Sequence, residues 1–285
     1  MLPAGVLNVI SGSGGLGSWL TGHPGVDKIS FTGSTGTGRQ VMAAAASSLT
    51  RVTLELGGND PAIVLPDVDV KAIAEQLFWA AFSNSGQICL ATKRLYVHAG
   101  IYDEFARAIT DYAQTVTVGD PTDADVQLGP VSNRNQYQTV VDLIGDAEDN
   151  GYTFLTGGLP DTSTTGLFIA PTIIDNPPES ARIVQEEQFG PVLPLLRFDD
   201  VEDAITRANA SEYGLGASVW SADPNAASDV AHRLQAGTVW VNEVMHLAPT
   251  VPFGGHKQSG IGVESGLAGM LEFSEAQTLT IKRGK

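Results

Sequence analysis

The residue best suited to chemical catalysis in this chain of 285 residues is Cys89, its single cysteine. It ends the polar stretch 83–89, of sequence SNSGQIC, which follows an apolar segment with helical spacing. A lone cysteine is most often a small buried hydrophobe, and composition alone leaves that interpretation open. A nucleophilic thiol instead requires a loop that exposes the sulfur and offers backbone N–H groups to an oxyanion. The stretch 83–89 has the composition of such a loop.

Glu55 is the candidate base for that thiol chemistry. It ends an apolar segment and is followed closely by Gly57 and Gly58. An acid in this position is poorly placed for a solvated surface and well placed at the carboxyl edge of a parallel sheet, where ligands bind in α/β folds. A thiol and a carboxylate together predict nucleophilic catalysis assisted by a general base.

The sequence GSGGLG at residues 12–17 is a weaker candidate, because it matches the dinucleotide fingerprint G-x-G-x-x-G only formally. A chance match is expected in a chain with 32 glycines. The acid expected about 20 residues further on is also absent, since Asp27 comes too early and the next acid is Glu55. An ordinary glycine-rich turn is therefore the favoured interpretation.

The elements that would position these groups alternate between strands and helices. Strands are predicted at residues 6–10, 28–31, 51–55, 94–98, 217–221, 238–242 and 277–282. Helices are predicted at residues 36–48, 70–81, 101–115, 133–150 and 225–235, with loops at 12–17 and 248–262. This alternation indicates an α/β fold with a largely parallel sheet.

Composition and charge exclude several function classes. Sixteen basic and 32 acidic residues give a formal net charge of −16, which argues against nucleic-acid and anionic membrane partners. Apolar content of 42% predicts a folded globular chain. Five dispersed histidines and one cysteine provide no metal-ligand spacing, so no metal is expected. The first lysine is Lys28 and no apolar run is long enough for a membrane span, so a reducing, cytoplasmic location is expected.

Five short motifs follow one another in a recognisable order. They are FTGST at 31–35, LELGG at 54–58, GQIC at 86–89, EEQFGPV at 186–192 and PFGG at 252–255. In this order they resemble the signatures of the NAD(P)-dependent aldehyde dehydrogenase superfamily, and LELGG and GQIC are the most specific. The resemblance covers nearly the whole chain. It implies a partial Rossmann-type cofactor domain and an α/β catalytic domain with a parallel-rich sheet.

The resemblance also implies a role for each matching residue. Cys89 matches the family nucleophile, and Glu55 matches the base that activates the deacylating water. The matching cofactor positions are Thr32, Gly33, Ser34, Leu56, Glu187 and Phe189. The matching substrate positions are Phe82, Ile88, Leu90 and Phe253. Without the family motifs, Glu187 would be a solvated helix-end acid, and Phe82 and Phe253 would be plain core residues.

The implied reaction begins with attack of the Cys89 thiolate on a small aldehyde. Hydride transfer to NAD or NADP then gives a thioester, which a water activated by Glu55 hydrolyses. The presence of Glu55 favours hydrolysis over transfer of the acyl group to CoA. A homo-oligomer is expected for the full-length form.

Family chains begin much earlier, so this chain resembles the C-terminal part of one. We expect residues 1–57 to complete a cofactor-binding domain, residues 58–258 to form the catalytic domain, and residues 259–285 to form a return helix and a terminal oligomerisation strand. Because an oxyanion-binding asparagine would lie in the earlier part, the chain alone is expected to show little dehydrogenase activity and to self-associate. The alternative is a non-catalytic remnant that serves as a binding or oligomerisation module. A serine hydrolase is disfavoured, because no G-x-S-x-G motif occurs.

Overall fold

The computed structural model describes residues 2–161 and 165–284. The strands in this part of the chain are β1 (Lys28–Thr32), β2 (Arg51–Glu55), β3 (Asp60–Val64), β4 (Thr92–His98), β5 (Thr153–Thr156), β6 (Thr172–Asp175), β7 (Val192–Phe198), β8 (Tyr213–Gly214), β9 (Gly216–Trp220), β10 (Thr238–Val241), β11 (His256–Lys257) and β12 (Gly260–Ile261). The α-helices are α1 (Gly14–Thr21), α2 (Thr35–Ala46), α3 (Val70–Phe82), α4 (Tyr102–Ala113), α5 (Arg134–Asp149), α6 (Arg182–Gln185), α7 (Val201–Asn209), α8 (Pro224–Ala231) and α9 (Gly266–Leu271).

The larger sheet has seven strands in the order β10-β9-β3-β4-β7-β6-β5. Every neighbouring pair is parallel except β5 with β6, so the predicted α/β fold with a parallel-rich sheet is confirmed. The central strands are buried on both faces, because side chains alternate between two cores. On β4, Leu95 and Val97 face the core that includes α3 and α4, whereas Tyr96 faces the core that includes α5, α7 and α8.

A smaller sheet contains β1, β2 and β12. Strands β1 and β2 are parallel, and β12 lies antiparallel to β2 with Gly260 opposite Glu55. Ile29 and Leu54 on these strands pack with Val41 of α2. Glu55 therefore ends a parallel strand at the carboxyl edge of this sheet, as the sequence predicted.

Three local predictions are wrong. Segments 6–10 and 277–282 form no strand, and Val9 and Leu279 are 87% and 81% exposed. A strand needs a neighbour for its backbone groups, and the described residues place none beside either segment. The predicted glycine loop 12–17 is helical from Gly14 onward, because glycine also tolerates right-handed helical angles.

The other predicted helices and strands are confirmed to within two residues at their ends, except that α8 stops at Ala231 rather than at residue 235. The predicted loop 248–262 is largely irregular and contains the short strands β11 and β12. Among the described residues, no helix is long and apolar enough to cross a membrane. The predicted domain boundaries stay predictions.

Candidate active site

The turn that leads from α3 to Cys89 has an unusual backbone. Asn84, Ser85 and Gly86 have φ angles of 52°, 55° and 72°, all in the left-handed region. A Cβ at Gly86 would overlap the backbone carbonyl of Gly190, so this position requires glycine. The Ser85 hydroxyl donates a hydrogen bond to the carbonyl of Gly129 at 2.8 Å. The small and polar residues of this turn therefore allow its left-handed backbone, and this backbone places Cys89 at the edge of a cleft.

Cys89 is partly buried and lines two clefts, which also share Thr32 and Leu56. Burial is the main reason that the pKa of its thiol is raised. The positive charge of Lys93 and the backbone N–H of Leu90 oppose that rise, whereas the nearby acids Asp60 and Glu187 add to it. The structure thus places a thiol in a partly dry environment with one cation close by.

The first cleft has a volume of about 560 Å³. Its walls include all six residues predicted to contact a cofactor, together with the predicted substrate residue Ile88: Thr32, Gly33, Ser34, Leu56, Glu187, Phe189 and Ile88. The remaining wall residues are Gly57, Gln87, Cys89 and Gln136. Motifs that lie far apart in the sequence therefore meet around one open space.

Glu187 points its carboxylate across this cleft toward the LELGG turn. Its Oε1 atom accepts a hydrogen bond from the backbone N–H of Gly58 at 3.0 Å and lies 3.8 Å from Lys93 Nζ. A Cβ at Gly57 would overlap the other carboxylate oxygen, so glycine is needed for this close approach. Burial raises the pKa of Glu187, and Lys93 opposes the rise. With its side chain 17% exposed, Glu187 is not a solvated helix-end acid.

The loop that carries Phe189 is held by a residue that the sequence did not single out. Gln136, near the start of α5, donates hydrogen bonds to the carbonyls of Gln188 at 2.8 Å and Phe189 at 3.1 Å. Phe189 has a left-handed φ of 46°, which such contacts help to stabilise. No local motif marks Gln136, because its partners lie about fifty residues away.

The second cleft has a volume of about 550 Å³ and a mostly apolar wall. It is lined by the predicted substrate residue Phe253 together with Cys89 and Glu55. Its other walls are Thr32, Leu56, Thr238, Trp240, His246, Leu247, Ala248, Pro249, Val251, Pro252, Glu264 and Ser265. A thiol, a carboxylate and an apolar surface therefore share one space.

Glu55 is 4% exposed, and neither of its carboxylate oxygens has a hydrogen-bond partner among the described residues. Burial, followed by the negative charge of Glu264, raises the pKa of Glu55 to about 8. Glu264 itself accepts a hydrogen bond from the Ser30 hydroxyl at 3.1 Å. A carboxylate with a pKa near neutrality and free oxygens beside a cleft is suited to proton transfer.

Two predicted substrate residues do not line either cleft. Phe82 is 1% exposed and stacks on Phe78 with 4.6 Å between ring centroids, because it is the last residue on the apolar face of α3. Leu90 is 4% exposed and packs against Leu215 and Trp240. Ile88 lines the first cleft rather than the second. Phe82 and Leu90 therefore pack into the core and border neither of these two clefts, and their role in a substrate tunnel stays a prediction.

The family model described as "Aldehyde dehydrogenase family" matches residues 1–279. The chain belongs to the aldehyde dehydrogenase family. Aldehyde dehydrogenase LUC3 of Fusarium is 44% identical over 280 residues, which are 98% of this chain and 60% of that protein. Retinal dehydrogenase 2 of Gallus gallus is 43% identical, over 98% of this chain and 54% of that protein. The chain thus spans little more than half the length of the curated relatives that it matches.

Solved structures of aldehyde dehydrogenases share the fold. A mutant of aldehyde dehydrogenase C from Pseudomonas syringae, in complex with NAD+ and octanal, has a TM-score of 0.91 and 39% identity, with 96% of this chain and 57% of that chain covered. Betaine aldehyde dehydrogenase from Staphylococcus aureus, in complex with NAD+, has a TM-score of 0.89 and 39% identity, with 93% and 53% covered.

The raised pKa of Glu55 predicts a pH-dependent stability. Between about pH 5 and pH 8 the folded aldehyde dehydrogenase chain keeps the Glu55 proton and the unfolded chain loses it, so the free energy of unfolding falls as pH rises. Glu55→Gln removes this dependence, and we expect the variant to gain about 1.4 kcal/mol in free energy of unfolding, relative to the original chain, for each pH unit in that range. Urea unfolding at both ends of the range measures the gain. Exposed Glu104→Gln is the control, and parallel pH profiles for all three proteins would contradict the prediction.

Proposed function

We propose that the chain forms the thiol-bearing part of an NAD(P)-dependent aldehyde dehydrogenase that oxidises an aldehyde to a carboxylic acid. The observation that supports this most is the position of Cys89, which borders both a cleft containing Glu187 and a cleft containing Glu55. One cleft would hold the cofactor and the other the aldehyde. Because the chain spans about half the length of its relatives, activity, substrate and partners are proposals for the whole protein.

The first cleft fits the nicotinamide ribose half of NAD or NADP. Glu187 presents a carboxylate that can accept hydrogen bonds from ribose hydroxyls, and Gly57 leaves room for it. Residues 32–34 connect the end of β1 to the start of α2, and the start of a helix favours phosphate. Relatives crystallised with NAD+ support this assignment. When bound, the nicotinamide would supply the hydride acceptor.

The chain's own residues account for the steps at the thiol. The Cys89 sulfur forms a bond to the aldehyde carbon, and after oxidation the acyl group remains on that sulfur as a thioester. Glu55, in its deprotonated form, takes a proton from a water in the second cleft while the water oxygen attacks the acyl carbon. The carbon–sulfur bond then breaks, and the thiolate leaves. With a pKa of about 8, only about a tenth of Glu55 is deprotonated at pH 7, so its activity as a base should increase as the pH rises toward 8.

The second cleft favours a neutral, apolar aldehyde over one with a carboxylate. Its described walls contain apolar groups such as Trp240, Leu247 and Phe253, and the described walls of both clefts contain no lysine or arginine. Two acids, Glu55 and Glu264, lie in the second cleft. The carboxylate of an anionic aldehyde would be repelled by these acids and would find no lysine or arginine to bind.

A non-catalytic binding or oligomerisation module is the second candidate function. It draws on the many exposed apolar side chains near both ends of the described chain, among them Leu7, Val9, Phe273 and Leu279. The thiol distinguishes the two candidates, because a module of that kind needs no reactive cysteine. Cytoplasmic location and homo-oligomer formation stay predictions under either candidate.

We expect Cys89 to be the covalent nucleophile. Incubation with an α,β-unsaturated aldehyde followed by peptide mapping should find the adduct on Cys89, because this thiol borders both clefts. Cys89→Ser should also lose ester hydrolysis by about a hundredfold or more, and this assay needs no cofactor. Circular dichroism checks the fold of the variant. A folded Cys89→Ser protein with undiminished ester hydrolysis would refute the assignment.

Glu55→Gln should separate the two halves of the ester reaction. Acylation of Cys89 should still release a burst of nitrophenolate from a p-nitrophenyl ester, because the thiol remains in place. Hydrolysis of the acyl group should slow by about 10² to 10⁴-fold, because the general base is gone. Stopped-flow absorbance measures both phases. Loss of the burst in a folded variant would instead make Glu55 the group that activates the thiol.

The charge preference of the second cleft is testable on the single thiol. The quantity to measure is the rate of Cys89 alkylation by anionic iodoacetate divided by the rate with neutral iodoacetamide. This ratio should be about tenfold lower in the native chain than in the chain unfolded in urea. Glu55, with a pKa of about 8, is ionised at about pH 9, so the difference should be largest there. Glu264→Gln should narrow the difference. If the ratio of the iodoacetate rate to the iodoacetamide rate is the same in the native and the unfolded chain, the cleft does not select by charge.

A further inference from the structure

Lys93 is a buried cation close to the thiol, and no sequence motif singles it out. It lies near the start of β4, and its side chain is 3% exposed. Its Nζ atom donates hydrogen bonds to the backbone carbonyls of Cys89 at 2.8 Å, Ile88 at 3.0 Å and Ala91 at 3.3 Å. An ammonium group has three N–H donors, so all three have acceptors in the turn around the nucleophile.

The same ammonium group also lies beside the cofactor cleft. It is 3.8 Å from Oε1 of Glu187, the oxygen that accepts the N–H of Gly58. Lys93 therefore contacts the turn that positions the sulfur and approaches the carboxylate proposed to hold the ribose. These two groups come from segments about one hundred residues apart, and Lys93 lies between them.

The charge of Lys93 is only partly balanced by a carboxylate, because its ion pair with Glu187 is long, at 3.8 Å. Its nearest partners are carbonyl oxygens, which carry partial charges, and Glu187 stands outside normal hydrogen-bond distance. The groups that act on the thiol are the Lys93 cation, the acids Asp60 and Glu187, and the backbone N–H of Leu90. Of these, Lys93 has the largest effect after burial, and it favours the thiolate. Burial of both partners makes this interaction stronger than it would be at a surface.

The geometry points to Lys93 as a positioning residue for the aldehyde dehydrogenase reaction, which fixes the backbone around Cys89 and favours its thiolate while it orients Glu187. It acts through these two residues and touches neither substrate nor cofactor. A lysine with a purely structural role would hold the carbonyls without affecting the ionisation of the thiol. The catalytic role of Lys93 rests on the proposed function. The effect of Lys93 on the ionisation of the Cys89 thiol, however, can be measured without aldehyde or cofactor.

Three variants separate the charge from the hydrogen bonds. Lys93→Arg keeps both, Lys93→Gln keeps donors without charge, and Lys93→Met removes both. The rate of Cys89 alkylation by iodoacetamide, measured across pH in the full chain, gives the apparent pKa of the thiol. Lys93→Gln and Lys93→Met should react about tenfold more slowly than the original chain near neutral pH, with a pH profile displaced upward. Lys93→Arg should stay close to the original profile.

Lys257 provides a matched control within the chain. Its Nζ atom also donates to two backbone carbonyls, those of Asn209 at 2.8 Å and Ser211 at 3.1 Å, and it lines neither of the two clefts. Lys257→Met should leave the alkylation profile of Cys89 unchanged. An equal displacement in Lys257→Met would show a general loss of stability and overturn the inference.

The outcomes distinguish this inference from the proposed function. If folded Lys93→Gln keeps the original profile, Lys93 is structural only and the inference fails, whatever the dehydrogenase activity. If the profile moves as expected while aldehyde oxidation is absent, the proposed function fails and the role of Lys93 at the thiol stands. Should Lys93→Met not fold, the pair Lys93→Arg and Lys93→Gln still decides, and identical profiles for that pair would refute the inference.

Discussion

Backbone-to-backbone contact between the Cys89 turn and the Glu187 loop is the constraint on which the rest of the site depends. The carbonyl of Gly190 leaves no space for a side chain at position 86. The carboxylate of Glu187 leaves none at position 57. Glycine at both places lets three segments from different parts of the chain meet around the sulfur. A Cβ at Gly86 would force the backbone of the Cys89 turn away from that of the Glu187 loop, whereas a Cβ at Gly57 would displace only the Glu187 carboxylate.

The interior near this contact is rich in acids that lack partners. Both oxygens of Glu55 are unpartnered among the described residues, and burial raises the pKa of Asp60 to about 7 despite the nearby charges of Lys93 and Arg94. The two cations hydrogen-bond mainly to carbonyl oxygens instead of neutralising the acids directly. Burying such groups costs free energy, and stable folds accept that cost chiefly at functional sites.

Several elements could be predicted from local pattern, and the failures have identifiable causes. Strand β3 is absent from the sequence predictions. Proline is unusual in a central strand, and a register shift between Asp60 and Pro61 accommodates Pro61 beside β4. The apolar segment 6–10 has the composition of a strand, but the described chain places no strand beside it. Helices with a clear apolar face, such as α3 and α5, were predicted well because their period follows directly from the sequence.

The sequence by itself determined the chemistry: one thiol, a carboxylate after an apolar strand, and ordered motifs that together indicate an aldehyde dehydrogenase. It also determined five of the nine helices and five of the twelve strands in the described part of the chain, because these depend on local spacing. Only the tertiary structure decided that Phe82 and Leu90 pack into the core, and that Gln136 and Lys93 hold the loops around Phe189 and Cys89. The direction of a side chain, and the carbonyl that it reaches, depend on neighbours far away in the sequence, which no local period records.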